Sequence, residues 1–451
     1  MKIGLIAMSG VRVENAELNP VGVTLPGFVE RSKVIASLPS LSLLTLAALT
    51  PPDVELDYRE VKDLEAEGGL PDDYDLVAIA SFSARILDAY RLADRFLARG
   101  TPVVMGGLHV TALPEEARAR GVTAVVGEGE LSWPQVVEDF RRGRLQQEYR
   151  PPPGRWLDLA EAPTPRFDLL DYSRYNRMPV QTSRGCPHRC DFCASSILLT
   201  PRYTVKPVEK VMAEIHRIKE RWEHPFIEFA DDNSFVLKPH YKRLLAAFRS
   251  ERVHWFTETD VAVADDPELL DAMRESGCRQ VLIGLESPVA AGLDGIELRR
   301  NWKLGRLADY EDAVRRIQSR GITVNGCFVL GLDGHTPEIF DRVYDFVART
   351  GLYEVQLTVM TAFPGTPLYR RLREEGRILR DGAWNLCTLF DVNHVPRGMS
   401  PDRLQQGLID LASRIYEPAF VQERRQRFFR ELKSRRVVAR ALEQEGLTHE
   451  A

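Results

Sequence analysis

Two successive trains of strand-like and helix-like segments constrain this chain more than any other feature in it. From residue 178 on, short runs rich in β-branched and aromatic residues recur: MPVQTSRG, PFIEFADDN, RVHWFTETD, RQVLIGLES, TVNGCFVLG and YEVQLTVMTAFPG. Between them lie the helical patterns KPVEKVMAEIHRIKERW, KPHYKRLLAAFRS, PELLDAMRESG, LADYEDAVRRIQSRG and TPEIFDRVYDFVARTG, several closed by the glycine that helix C-termini favour. Strands that alternate with helices pair in parallel, and six such units predict a partial (β/α)6 barrel. Chemistry in barrels is placed at the C-terminal strand ends. Polar residues gather there: Asp231, Asp232 and Asn233, then Glu258, Thr259 and Asp260, then Glu286 and Ser287. An aspartate after a strand can also simply cap the next helix.

The first train reads as strand KIGLIAM, helix SLSLLTLAALTP, strands VELDYREV and YDLVAIASFS, and helix ARILDAYRLADRFLARG. Two strand, glycine turn and helix units follow, TPVVMGGLHVTALPEEARARG and VTAVVGEGELSWPQVVEDFRRG. This predicts a doubly wound, flavodoxin- or Rossmann-like parallel sheet over 1–145, with ligands at its C-terminal edge. The loops at that edge are Ser81 to Arg85, Gly106 to Thr111 and Gly127 to Glu130. No G-x-G-x-x-G follows the first strand, which argues against a dinucleotide. A proline-rich, aperiodic segment at 146–178 reads as a linker, the barrel as 179–375, and 376–451 as a helical and lid region. At 451 residues the chain is long enough for domains with their own cores.

Three of the six cysteines fall in TSRGCPHRCDFCASS, spaced C-x3-C-x2-C. A structural zinc site wants four ligands, and the spacing of His188 suits no common zinc knuckle. Three thiolates on one loop suit an iron–sulfur cube with one iron left free. So few cysteines in so long a chain make no disulfide framework, and a reducing cytoplasm is the default. The formal charge of −5 implies no general affinity for nucleic acid, and no apolar run approaches membrane-spanning length. Eight Lys and Arg between Arg424 and Arg440 form a basic run, read as a solvated helix face with peripheral membrane contact as the alternative.

CPHRCDFC resembles the cysteine loop of the radical S-adenosylmethionine (radical SAM) superfamily at every defined position, with Phe192 as its aromatic residue. The resemblance implies a 4Fe–4S cluster on Cys186, Cys190 and Cys193, S-adenosylmethionine on its open iron, and one-electron cleavage to a 5′-deoxyadenosyl radical. It further implies S-adenosylmethionine contacts from Phe192, Asp231, Asp232, Asn233, Glu258, Thr259, Glu286 and Ser287. Where relatives often carry an Arg at the third strand, this chain has Glu258 and Thr259.

A flavodoxin-like domain with GGLHVT and GEGE directly before such a barrel resembles the cobalamin-binding subfamily. That resemblance implies cobalamin contacts from Ser81, Ser83, Gly106, Gly107, His109, Thr111, Gly127, Glu128 and Gly129. The D-x-H-x-x-G loop that supplies a lower axial histidine in methionine-synthase-like proteins is absent. The function expected is a class B-like C-methyltransferase, carrying a methyl group from methylcobalamin to an unactivated carbon of a small-molecule, lipid or natural-product substrate. Radical cyclisation or ring rearrangement, and a corrinoid sensor or carrier, are the alternatives. Implied partners are that substrate and an electron donor such as flavodoxin or ferredoxin. Asn393 and His394, in LCTLFDVNHVPRGMS before the last helices, are weaker substrate candidates.

Overall fold

The computed structural model describes residues 1–11, 13–18, 38–65, 69–199 and 202–444, with side chains through residue 434. Six strands form the first sheet: β1 (Lys2–Met8), β2 (Glu55–Val61), β3 (Leu76–Ser81), β4 (Val103–Gly106), β5 (Thr123–Val125) and β6 (Glu148–Tyr149). Their order is β2-β1-β3-β4-β5-β6, every pairing parallel. This is the flavodoxin-type order, whose topological switch lies between β1 and β3. Strands β1 and β3 are near-continuous apolar runs because helices cover both faces of the sheet. The edge strand β2 alternates charged and apolar residues and is largely exposed at its start. β6 corrects the boundary drawn at residue 145: two residues of the proline-rich segment pair with Ala124 and Val125.

The second sheet curves into the barrel. β7 (Met178–Val180) leads into a two-residue ribbon made by β8 (Ser183–Arg184) and β9 (Thr204–Val205), which pair antiparallel. Then follow β10 (Phe226–Phe229), β11 (His254–Thr259), β12 (Cys278–Glu286), β13 (Thr323–Leu330) and β14 (Glu354–Val359). The six barrel strands run β7-β10-β11-β12-β13-β14, all parallel, with β7 and β14 as the open ends. Outward residues such as Phe229, Trp255 and Phe328 pack on the surrounding helices, Phe229 and Trp255 as a stacked pair 4.6 Å apart.

The two sheets do not keep separate cores, which corrects the expectation of one core per domain. One contiguous apolar cluster contains Ile6, Val77 and Tyr90 from the first sheet and its helices, and Val180, Trp255 and Leu357 from the barrel. Phe167, Leu170 and Tyr175 of the 146–178 segment are buried in the same cluster, so this linker is a packed strap. The other face of the first sheet has its own cluster, with Leu5, Leu76 and Trp133.

The helices Pro401–Ile415 and Pro418–Gln444 close the chain. The first buries Leu404, Leu408, Leu411 and Ile415, and both pack on the flank of the barrel. Part of the basic run is spent on that packing. Arg424 is buried and donates to the carbonyls of Leu352 and Ile415, and Arg427 donates to those of Ala348 and Arg349 at a helix C-terminus. Arg435, Arg436 and Arg440 lie outside the described side chains. Among the described residues, no helix is long and apolar enough to cross a membrane.

Candidate active site

The cysteine loop leaves β7 and is held by the two aspartates that end β10. Asp231 accepts from the backbone N–H of Thr182 (2.7 Å) and Ser183 (2.8 Å), and from the hydroxyls of Thr182, Ser234 and Tyr241. Five donors saturate the lone pairs of one carboxylate. Asp232 accepts from Gly185 N–H (2.7 Å) and from the Ser195 hydroxyl, which spans the loop from before Cys186 to beyond Cys193. The expectation that Asp231 touches S-adenosylmethionine therefore gives way to a structural role, clamping the start of the loop. Asp232 clamps both its ends.

The loop's outer side is pinned as well. Asp191 N–H donates to the Ile296 carbonyl (2.8 Å), Leu298 N–H to the Arg189 carbonyl (2.9 Å), and Cys193 caps the helix Ala194–Leu198. All three thiols are free of disulfides, with Cys190 buried and the other two half-buried. Burial pushes the Cys186 thiol up to about 11 and raises Cys190 well above its ordinary value. Metal coordination would remove that cost by binding the thiolates directly. Among the described residues no group of three His, Cys, Asp or Glu converges on one single-ion position. The loop offers three sulfurs and no fourth protein ligand, a donor set that fits a cluster with an open corner.

Six further residues bear on the loop and its surroundings. Asn233 donates to Asp260 (2.9 Å) and lies 3.7 Å from Cys186 Sγ, while its carbonyl oxygen is buried without a partner and is available to a ligand. Glu286 ends β12 at φ +61, in the left-handed region, where the β12–β13 register slips. Its carboxylate pairs with Lys303 Nζ at 2.6 Å, and the ammonium also donates to the Gly284 carbonyl at 2.7 Å. Burial works against that charge, but Glu286 and the Cys190 sulfur hold it above its ordinary value. Nothing in NWKLG marked Lys303 in advance. Thr259 and Ser287 turn their hydroxyls to protein, to the Ser234 carbonyl (2.9 Å) and to His335 (2.9 Å). Phe192 packs partly buried against the main core.

Glu258 is the exception among these carboxylates. The strand register puts it inside the barrel with Glu228, Gln280, Asn325, Cys327 and Gln356. Its side chain faces that interior and keeps an exposed surface. The side-chain oxygens of Gln280, Asn325 and Gln356 are partnerless there, so the lumen is polar. Cys327 accordingly lies among polar groups. Burial, together with the charges of Glu228, Asp232, Asp231 and Glu286, pushes the Glu258 carboxyl up to about 8. The folded protein thus holds a proton that the unfolded chain releases near 4.5. Stability falls as pH rises between those values and levels off above. Glu258→Gln is expected to flatten this fall, read as unfolding midpoints between about pH 5 and 9.

The C-terminal edge of the first sheet meets the barrel mouth. Arg184, two residues before Cys186, donates to Glu128 (2.8 Å), Glu130 (2.7 Å) and Gln181 (3.0 Å). Trp384 Nε1 donates to Glu116 (3.1 Å), and Asp391 accepts from the N–H groups of Glu14 and Asn15. Glu128 also accepts from Leu157 N–H, so its carboxylate joins three segments. His109 is not open to a cofactor: it is buried, hydrogen-bonded to Ser83 (3.2 Å) and Glu116 (3.1 Å), and edge-on to Trp384. Ser83 is buried with it, and Thr111 accepts from Gly127 N–H.

What remains open along this edge is small. Among the described residues Ser81 donates only to the Phe82 carbonyl, and Gly106, Gly107 (φ +108), Gly127 and Gly129 carry no side chain. A Cβ on Gly107 would approach the Ser81 carbonyl at 3.4 Å. Phe82, unmarked in the sequence, stands 55% exposed between the two serines. Asn393 and His394 are both buried. Asn393 bonds both backbone groups of Ala362, and His394 is fully buried, its ring lowered to about 4 by burial.

Residues 180–347 match the model of the radical SAM superfamily, and residues 366–448 match a domain of unknown function, DUF4070. The chain is 26% identical to bacteriochlorophyllide d C-12(1)-methyltransferase of Chlorobaculum tepidum, over 86% of this chain and 84% of that protein. It is also 26% identical to the hopanoid C-2 methylase of Rhodopseudomonas palustris, over 77% and 67%. Among solved structures it resembles the radical S-adenosylmethionine methyltransferase TsrM of Kitasatospora setae. The TM-score is 0.65 at 16% identity, covering 90% of this chain and 82% of that one, and this likeness speaks for the shared fold. The residues that carry the cysteine loop and most of the six-stranded parallel barrel are those that match the radical S-adenosylmethionine superfamily.

Proposed function

We propose that this protein is a cobalamin-dependent radical SAM C-methyltransferase acting on an unactivated carbon of a small-molecule, lipid or natural-product substrate, in a reducing cytoplasm. One observation carries the reading. Arg184, beside the cysteine loop, is ion-paired to Glu128 and Glu130 of the glycine-rich loop after β5, so the two cofactor-type edges share one boundary. The names of the relatives, methyltransferases and methylases, point the same way.

Cys186, Cys190 and Cys193 would hold the 4Fe–4S cluster, which when bound supplies the electron that splits S-adenosylmethionine. The free Asn233 carbonyl and the carboxyls of Glu258 and Glu286 are the groups of this chain offered to that ligand's amino and ribose hydrogens. Gly106, Gly107 and Gly127 leave backbone bare, and Phe82 offers a flat apolar face, as a corrin ring requires.

Protein reconstituted without oxygen with iron, sulfide and cobalamin is expected to form 5′-deoxyadenosine and S-adenosylhomocysteine together. Deoxyadenosine alone would replace methyl transfer by rearrangement, and neither product would leave a corrinoid carrier.

A further inference from the structure

His188 lies inside the cysteine loop, in CPHRC, and the reading above gives it nothing to do. The fold holds its ring on three sides. Nε2 lies 3.0 Å from Asp260, Trp302 packs against the ring with centroids 4.3 Å apart, and Nδ1 looks toward Glu297 at 3.6 Å. Glu297 is itself fixed, accepting from Trp302 N–H at 2.7 Å and bridging Cys190 in antiparallel fashion. Asp260 accepts from Ala262 N–H at 2.9 Å through the oxygen that His188 does not use. A carboxylate engaged through both oxygens is not free to turn, so the oxygen shared by His188 and Asn233 keeps its place.

That oxygen decides which way the Asn233 carboxamide lies. The side-chain nitrogen sits 2.9 Å from Asp260 and 3.7 Å from Cys186 Sγ, and both of these neighbours accept hydrogen bonds. Turning the amide over would set its carbonyl oxygen against a carboxylate oxygen and a sulfur, exchanging two attractive contacts for two repulsive ones. The carbonyl oxygen therefore faces the other way. Asn233 is only 3% exposed, and that oxygen has no partner among the described residues. A buried acceptor with no donor is costly, which favours a ligand that brings one.

We propose that His188 and Asp260 are positioning residues that lock the Asn233 carboxamide with its carbonyl oxygen outward, so that this corner of the site takes a hydrogen-bond donor and turns away an acceptor. The proposal rests on the functional reading above, in which the donor is the amino group of S-adenosylmethionine. Both residues act through Asn233. Asp260→Asn is the informative change, because it is nearly isosteric. The introduced amide keeps an oxygen for Ala262 N–H and turns its NH2 toward Asn233, whose carbonyl oxygen then swings round to accept from it. The NH2 group of Asn233 would be left facing the ligand's amino group, donor against donor.

Two measurements on anaerobically reconstituted protein test this, each scaled to bound iron. With asparagine carrying the heavy nitrogen isotope in its side-chain amide, the electron-spin echo of the dithionite-reduced cluster should show a coupling to that nitrogen in the parent, and Asp260→Asn should lose most of it. Calorimetry should show S-adenosylmethionine binding weakened by at least about 10-fold in Asp260→Asn, and by a smaller factor in His188→Leu, which leaves Asp260 in place. An analogue with hydrogen in place of the amino group should bind the parent and both variants alike. The losses should not add: Asn233→Ala with Asp260→Asn should bind S-adenosylmethionine no more weakly than Asn233→Ala alone. A parent without the nitrogen coupling overturns the proposal. Unchanged affinity in both Asp260→Asn and His188→Leu, an equal loss for the analogue, or losses that add would overturn it too. A parent that shows the coupling yet binds no S-adenosylmethionine overturns the functional reading instead, and the locked amide stands.

Discussion

Cys186→Ala, purified and reconstituted without oxygen, is expected to lose the iron-to-sulfur charge-transfer absorption and to drop deoxyadenosine formation by more than about 10³-fold, as when a group central to the chemistry is removed. The fold should survive, because the clamps on the loop do not pass through the thiol. Asp231 holds Thr182 and Ser183, Asp232 holds Gly185 and Ser195, and Asn233 touches the sulfur only weakly at 3.7 Å. Far-ultraviolet circular dichroism of the variant should therefore match the parent. Turnover that persists with the thiol gone would end the cluster assignment.

The second large effect is expected at Lys303. Its ammonium and the Glu286 carboxylate are both nearly excluded from water, and Lys303→Met strands the carboxylate without a partner. Breaking such a pair from one side costs about 3–5 kcal/mol. The double variant Lys303→Met with Glu286→Leu removes both charges and should recover much of that loss in denaturant midpoints. Activity should not return with stability, because Glu286 is one of the groups offered to S-adenosylmethionine. If the single variant unfolds where the parent does, the pair is not buried as described.

The barrel was legible because its strands are runs such as QVLIGLE and NGCFVL, bounded by glycine and separated by amphipathic helices. The first sheet was legible for the same reason, except β6, whose two residues sit among prolines and have no periodicity to detect. Site chemistry was legible only where it is local, in the cysteine loop. Asp231 stood at the right strand end, but its saturation depends on Thr182, 49 residues earlier, and on Tyr241 on the following helix. His109 sits in a plausible loop, and only the fold brings Trp384 against its ring. Lys303 shows the limit most plainly. It is one lysine in a short unpatterned segment, and its partner comes from a strand end 17 positions away.

The apolar cluster that runs unbroken from Ile6 through Tyr175 to Leu357 has a consequence for how such proteins diversify. Transplanting the first 145 residues onto a foreign barrel would strip a greasy seam on both sides, and such chimaeras would clump rather than fold. New substrates are then reached by editing the mouth loops on an intact body, not by shuffling halves between genes.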